Sequence, residues 1–445
     1  MSFSSSEEQT ATKTFLRNQS EPRRYIPHVS DVSQAAPKAS PEGQIFPLPG
    51  IKAEIDAQLA PYDRFAVMAM LIHAPVTQGQ TPDVPSSIKD CLEAIQKEND
   101  GFWFLWQHNL CGYVLSSHDT LSAKRIAQQI IDTLAQTTLD TVTIGLSQFP
   151  HLAYDRPNAM QNACKALNHA AFFGPGSIVI FDAVSLNING DLHYQSQDIS
   201  SAITEYQAAL VIDPENTNVQ NSLGVCLAQL EKYEEARKSF EETLRFDPNE
   251  AMAAYNLGVL DLLAGKQERA LDHFCQAYAK DTETAEIPFQ IGKILTEQKE
   301  YKKAIEYLEA TIALCPDWAS AYTLLGRCQA SIGQAQEAIQ SYKKAVKINP
   351  NDAAALSALG ALYDAKGENR DICLTFCKQS VALSPKNGLF RLRLARLYHK
   401  YQHLNNALSE YEAATALGYN AERRIAQIQE QLELEDPDKD KQCCA

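Results

Sequence analysis

Asp213-Pro214, Asp247-Pro248, Cys315-Pro316, Asn349-Pro350 and Ser384-Pro385 punctuate the second half of this sequence, and their prolines are 34, 68, 34 and 35 residues apart. Thr282 stands where the long gap would place one more. Each pair follows an apolar stretch with helical spacing. Proline explains the stop, because it has no N–H to donate, fixes φ and turns the preceding residue away from the helical region. A fixed period of this length marks a supersecondary unit that cannot bury its apolar face alone and stacks on copies of itself. Residues 183–420 therefore read as seven helix-turn-helix units.

The interior of each unit repeats too. With each unit numbered from 31 residues before its proline, position 8 is small: Gly190, Gly224, Gly258, Gly292, Gly326, Gly360 and Ala395. Position 20 holds Ala202, Ala236, Ala270, Ala304, Ala338, then Cys373 after a one-residue insertion, then Ala407. Position 24 is expected to be a ring (Tyr206, Phe240, Phe274, Tyr307, Tyr342, Tyr411), with Cys377 in the sixth unit. Small residues let the two helices of a unit approach, and the rings fill the space left between them.

This pattern closely resembles the tetratricopeptide repeat (TPR) family, in stretches such as Ala254-Tyr-Asn-Leu-Gly258 and Ala338-Ile-Gln-Ser-Tyr-Lys-Lys-Ala345. The resemblance implies an α-solenoid over residues 183–420, closed by a capping helix at 420–434 and followed by a charged tail at 435–445. It also implies that positions 5, 9 and 12 of the first helices line a concave groove. Those positions include Asn187, Asn221, Tyr255, Phe289, Lys293 and Arg327. The asparagines could hydrogen-bond a peptide backbone, the rings hold an apolar anchor, and the cations favour an acidic side chain or terminal carboxylate. The alternative reading is packing for the rings and a solvated face for the charges. The Lys/Asn/Asn/Lys/Arg clamp of chaperone-binding members is not matched.

Charge and composition narrow the partners. Forty basic against 55 acidic residues give −15, which disfavours nonspecific binding to nucleic acid or anionic lipid. No stretch is long and apolar enough for a membrane span and none at the start reads as a secretion signal, so a cytoplasmic protein is expected. Eleven cysteines lie scattered, several at helix core positions such as Cys226, Cys275 and Cys328, as reduced thiols would. Cys373 and Cys377 share a helix face but occupy packing slots.

Ahead of the repeats, residues 1–50 are rich in Ser, Pro, Gln and Glu and are expected to be disordered. Residues 51–182 read differently: helix Ile51–Ala60, strand Arg64–His73, helix Ser86–Glu98, a strand pair in Phe102–Ser116, helix Thr120–Gln136, strand Thr141–Phe149, helix Asn158–Phe172 and strand Ser177–Asp182. That order, with Asp140-Thr-Val-Thr-Ile-Gly-Leu-Ser147 and the closing Phe173-Gly-Pro-Gly-Ser-Ile-Val-Ile-Phe-Asp182, is similar to the diguanylate cyclase (GGDEF) domain. The resemblance implies a smaller α/β ferredoxin-like, nucleotide-cyclase-like fold.

The chemistry of that family is missing. Its signature glycines and acids align with Gln107-His108-Asn109-Leu110-Cys111, and Phe65–His73 offers no Asp or Glu to a divalent cation. His73, His108 and His118 do not have the spacing of a zinc site. The expectation is a non-catalytic scaffold or adaptor without cofactor or metal, binding a protein or peptide, with a homodimer through the N-terminal domain left open. The alternative is a nucleotide-binding or cyclic-dinucleotide signalling protein with residual activity in residues 51–182.

Overall fold

The computed structural model describes residues 57–73, 84–107, 109–116, 119–137, 140–152 and 154–435. The expectations for residues 1–50, for most of helix Ile51–Ala60, for His108 and His118, and for the tail after residue 435 lie outside them. The described residues divide into two compact units, meeting at Leu260 and Asp261.

The first unit begins with an α/β layer. Five strands, β1 (Phe65–His73), β2 (Gly101–Gln107), β3 (Leu110–Ser116), β4 (Thr141–Phe149) and β5 (Ile178–Ile180), form one sheet in the order β2-β3-β1-β4-β5. β1 to β4 are antiparallel to their neighbours, and β5 runs parallel to β4. The unbroken apolar run of β1 is explained by its place in the middle, buried on both faces. Met68, Met70, Tyr113, Ile144 and Leu146 pack under α1 (Ser86–Glu98) and α2 (Thr120–Thr137). Phe65, Val67, Ala69 and Val114 pack against α3 (Arg156–Ala171). Gly145 lets α3 lie on the sheet, since a Cβ there would come within 2.2 Å of Ala163 O and Leu167 N.

Helix pairs follow at once. The first unit continues with α4 (Ala183–Gln195), α5 (Ile199–Ile212), α6 (Thr217–Gln229) and α7 (Tyr233–Phe246), and the division falls within α8 (Ala251–Leu263). The second unit holds α9 (Gln267–Lys280), α10 (Glu286–Glu297), α11 (Tyr301–Leu314), α12 (Ala319–Ser331), α13 (Ala335–Ile348), α14 (Ala353–Ala365), α15 (Arg370–Leu383), α16 (Gly388–Lys400), α17 (Leu404–Ala416) and α18 (Glu422–Glu435). Ile428 of α18 and Ala421 just before it pack with Tyr411, closing the apolar face of the last pair.

Within a pair the small-to-large fit is tight. A Cβ on Gly190 would lie 2.5 Å from the Tyr206 ring, and one on Gly224 2.5 Å from the Phe240 ring. In the fourth unit the ring expectation needs correcting. Leu308, not Tyr307, faces Gly292, with Cγ 2.8 Å from where a Cβ would stand. Tyr307 lies one residue off the slot and meets Tyr278 edge to face at 5.6 Å.

Every turn inside a pair has the same geometry. Gln197, Glu231, Gly265, Lys299, Gly333, Gly367 and Gln402 all have positive φ. The next N–H reaches back five residues, as Lys232 does to Leu227 O at 2.9 Å and Glu300 to Leu295 O at 2.9 Å. This is the Schellman closure of the first helix.

The sheet domain and the first helix pair share buried polar contacts. Asn189 on α4 accepts from Asn168 Nδ2 on α3 at 2.7 Å, and its own Nδ2 donates to Ser185 O at 2.7 Å and Lys165 O at 3.2 Å. Lys165 on α3 pairs with Glu205 on α5 at 2.7 Å, both side chains nearly buried. Asp182, the last residue before α4, caps it by accepting from Ser185 N.

Candidate partner-binding surface

The first helices of the two units carry the six residues expected to meet a partner. In the first unit Asn221 on α6 is fully buried, and its carbonyl oxygen accepts from Asn256 Nδ2 on α8 at 3.0 Å. Tyr255 on α8 is fully buried too. Asn187 on α4 is half-buried, and its Oδ1 has no hydrogen-bond partner among the described residues. One helix turn along, Asp191 is engaged by the Tyr206 hydroxyl at 2.6 Å, and Gln229 donates to the Tyr194 hydroxyl at 2.7 Å.

In the second unit Phe289 on α10 is almost buried and stacks on Trp318 at 4.5 Å between ring centroids, 22° from parallel. Trp318 precedes α12 as its N-cap residue. Lys293, one turn beyond Phe289, is half-buried, and Arg327 on α12 is exposed. Neither makes an ion pair among the described residues. Thr323, one turn before Arg327, donates to Asp352 Oδ2 at 2.6 Å.

Trp318 and Arg393 lie outside the positions that the repeat pattern selects. Trp318 is the only tryptophan of the repeats, which was a usable signal. Arg393 on α16 lies off positions 5, 9 and 12, yet its Nη1 reaches Ser357 Oγ on α14 at 3.1 Å, and burial lowers the pKa of its guanidinium. Near the end of the unit a depression of about 550 Å³ is lined by Arg396, His399, Lys400, Tyr411 and Arg424, among others.

Several of the described histidines and cysteines take packing or hydrogen-bonding roles. His73 lies 2.9 Å from Thr143 Oγ1, and burial lowers its pKa. His399 meets the Tyr411 ring and His403 the Tyr398 ring. Cys373 and Cys377 are fully buried, and burial pushes the Cys377 thiol up to about 12. No helix among the described residues is long and apolar enough to cross a membrane.

Antiparallel helix pairs that recur at a 34-residue interval, packed on one another within each unit, place this part of the molecule among the helical-repeat proteins. More narrowly, residues 216–283 and 281–351 match the family model described as tetratricopeptide repeat, and residues 190–231 match a second TPR model. This stretch therefore carries tetratricopeptide repeats. Proteins built from them are generally protein–protein interaction scaffolds that bind protein or peptide partners.

Solved structures are similar over the helical part. MamA is 27% identical, over 37% of this chain and 95% of its own, with a TM-score of 0.34. YrrB, described as a TPR protein with an unusual peptide-binding site, is 22% identical over 42% of this chain and 95% of its own, with a TM-score of 0.38. The pilF product of Pseudomonas aeruginosa is 20% identical over 49% and 98%, with a TM-score of 0.42. No curated protein matches the chain.

Proposed function

We propose that this protein is a non-catalytic adaptor of the cytoplasm, whose tetratricopeptide repeats hold a peptide segment of a partner protein along their first helices. The observation that carries this reading is that Asn187 Oδ1 on a first helix of the first unit has no hydrogen-bond partner among the described residues; separately, on first helices of the second unit, Lys293 and Arg327 make no ion pair among the described residues. An amide oxygen left without a donor at a partly open site suits a peptide N–H, and free cations suit carboxylates. In the first unit Asn221 and Tyr255 are buried and serve packing, and in the second unit Phe289 with Trp318 supplies an aromatic platform. The net charge of −15 turns the protein away from nucleic acid and anionic membranes.

The sheet domain belongs in this proposal as a cyclase-like module without its chemistry. Its first four strands lie in the order 4-1-3-2, which is the split βαβ arrangement of the ferredoxin-like fold. β1 brings only FAVMAMLIH to the place where the family's carboxylates would hold metal. Its part is structural or dimerising.

A quantitative pull-down tests the adaptor reading, with the full chain beside an Asn187→Ala/Lys293→Gln variant. A partner captured by the parent and lost from the variant is the expected result. Equal capture by both, or turnover of GTP with Mg²⁺ by the full chain, contradicts it.

A further inference from the structure

The two edges of the sheet are finished differently. β5 is three residues long and leads directly into α4, whose first turn Asp182 caps. Shortness, charges, prolines and covering segments are the means by which sheets keep an edge from pairing with another strand. β2, on the opposite edge, is seven residues long, and its sequence Gly101-Phe-Trp-Phe-Leu-Trp-Gln107 has neither a charge nor a proline. Its irregularity, between Leu105 and Gln107, lies at the far end.

Only half of the β2 backbone is used by the sheet. Asp100 O accepts from Ser116 N at 3.0 Å, and the same register places Phe102 opposite Val114 and Phe104 opposite Gly112. Hydrogen-bonded pairs alternate along an antiparallel ladder. Phe102 and Phe104 therefore bond to β3, while the N–H and C=O of Gly101, Trp103 and Leu105 point out of the sheet. No strand among the described residues meets them. Phe102, Phe104 and Trp106 stand on the α3 side, with successive ring centroids 5.9 and 5.1 Å apart. Trp103 packs on the side of α1 and α2, and Leu105 is 37% exposed.

We infer that β2 pairs antiparallel with β2 of a second copy of this chain, about a twofold axis at Trp103, joining two five-stranded sheets edge to edge. This rests on the dimerising reading of the sheet domain above and names its surface. The outward groups recur at every second residue, so Trp103 exchanges hydrogen bonds with the partner's Trp103, and Gly101 with the partner's Leu105. Phe102 then stands opposite the partner's Phe104, a cross-strand aromatic pair. Leu105 comes to lie across from a residue with no side chain. A Cβ at Gly101 would meet Val114 O at 2.1 Å, so the pairing of β2 with β3 keeps that position bare. An isologous contact requires such self-complementarity, which an arbitrary strand does not offer. No charge enters the five paired positions, so the −15 of each chain is not concentrated at the contact. A strand pair of this length is small beside the ~1,200–2,000 Å² of a standard interface, and a Kd of about 1–100 µM is expected.

Sedimentation velocity on the full chain between ~1 and ~200 µM tests this. The average mass is expected to rise from one chain toward two. The rise is expected to be no smaller at ~500 mM than at ~50 mM NaCl, because salt screens two like-charged chains and leaves strand pairing intact. Leu105→Lys sets a charge on the edge at an exposed position, and is expected to weaken the dimer ~10-fold or more with an unchanged melting temperature of the dilute protein. Leu105→Thr, which removes apolar cover without adding charge, is expected to weaken it less. In hydrogen exchange resolved to single amides, Trp103 and Leu105 are expected to slow as concentration rises, while Phe102 and Phe104 stay slow throughout.

A dimer that Leu105→Lys leaves equally tight, or one that forms without slowing Trp103 and Leu105, overturns this surface and leaves the dimerising reading standing. A chain that stays single up to ~200 µM overturns both. If deleting residues 1–50 converts a single chain into a dimer, the edge is occupied by the chain's own N-terminal segment and the inference falls.

Discussion

The polar residues on the first helices of the two units differ in where their partners lie. In the first unit, Asn187 apart, polar side chains of these helices and their neighbours close on one another: Asn221 on Asn256, Asp191 on Tyr206, Asn168 on Asn189, Lys165 on Glu205. In the second unit Arg327, Arg396 and Arg424 make no ion pair among the described residues, while Glu410 holds Arg391 and Asp364 holds Lys400. A polar side chain on a repeat is therefore no sign of binding in itself. What distinguishes a structural residue from a binding one is whether its partner is already in the chain.

Substitutions in each class would separate the two by stability. Lys165→Met should have the largest effect, a loss of about 2–4 kcal/mol in urea unfolding, because it strands a nearly buried Glu205. Lys165→Met/Glu205→Leu should recover most of that loss, and failure to do so would show that the pair contributes more than mutual neutralisation. Asn256→Leu comes next at about 1–3 kcal/mol, since it leaves the buried Asn221 carbonyl without a donor. Trp318→Ala should cost about 1–2 kcal/mol through the lost stack on Phe289. Arg327→Gln with Arg396→Gln should stay within about 0.5 kcal/mol of the parent, as exposed residues without internal partners do. A large destabilisation by that last pair would erase the distinction between the units.

A chemical probe sharpens the same contrast between closed and open sites. Burial pushes the thiols of Cys111 and Cys164 up to about 12. At pH 8 only about one part in 10⁴ of each is thiolate, so alkylation by iodoacetamide should be negligible in the native state and appear on unfolding. Mass spectrometry after timed labelling reads this directly.

Much of the architecture was legible because it depends on local periodicity. Ser86–Glu98 and Thr141–Phe149 are read with the same ends in the sequence and in the structure, and α2 differs by one residue. The 34-residue interval marked the ends of successive units at Pro214, Pro248, Thr282, Pro316, Pro350 and Pro385, because proline acts on the residues beside it. The facing of individual side chains was harder to read. Asn221 accepts from Asn256 on the first helix of the next pair, so an apparent groove position can be covered by a neighbouring helix. Tyr307 and Leu308 are adjacent, and a one-residue count decides which meets Gly292. Arg393 escaped because its reach depends on the small residues of α14, a property of a different repeat. Positive φ at Gln197, Glu231, Lys299 and Gln402 had no glycine to signal it.

The Asn168–Asn189 and Lys165–Glu205 contacts also bear on the order in which the molecule can be made. During synthesis the sheet domain leaves the ribosome first, so α3 is finished before α4 and α5 emerge. The first helix pair then has a surface carrying matched hydrogen-bonding groups to settle on.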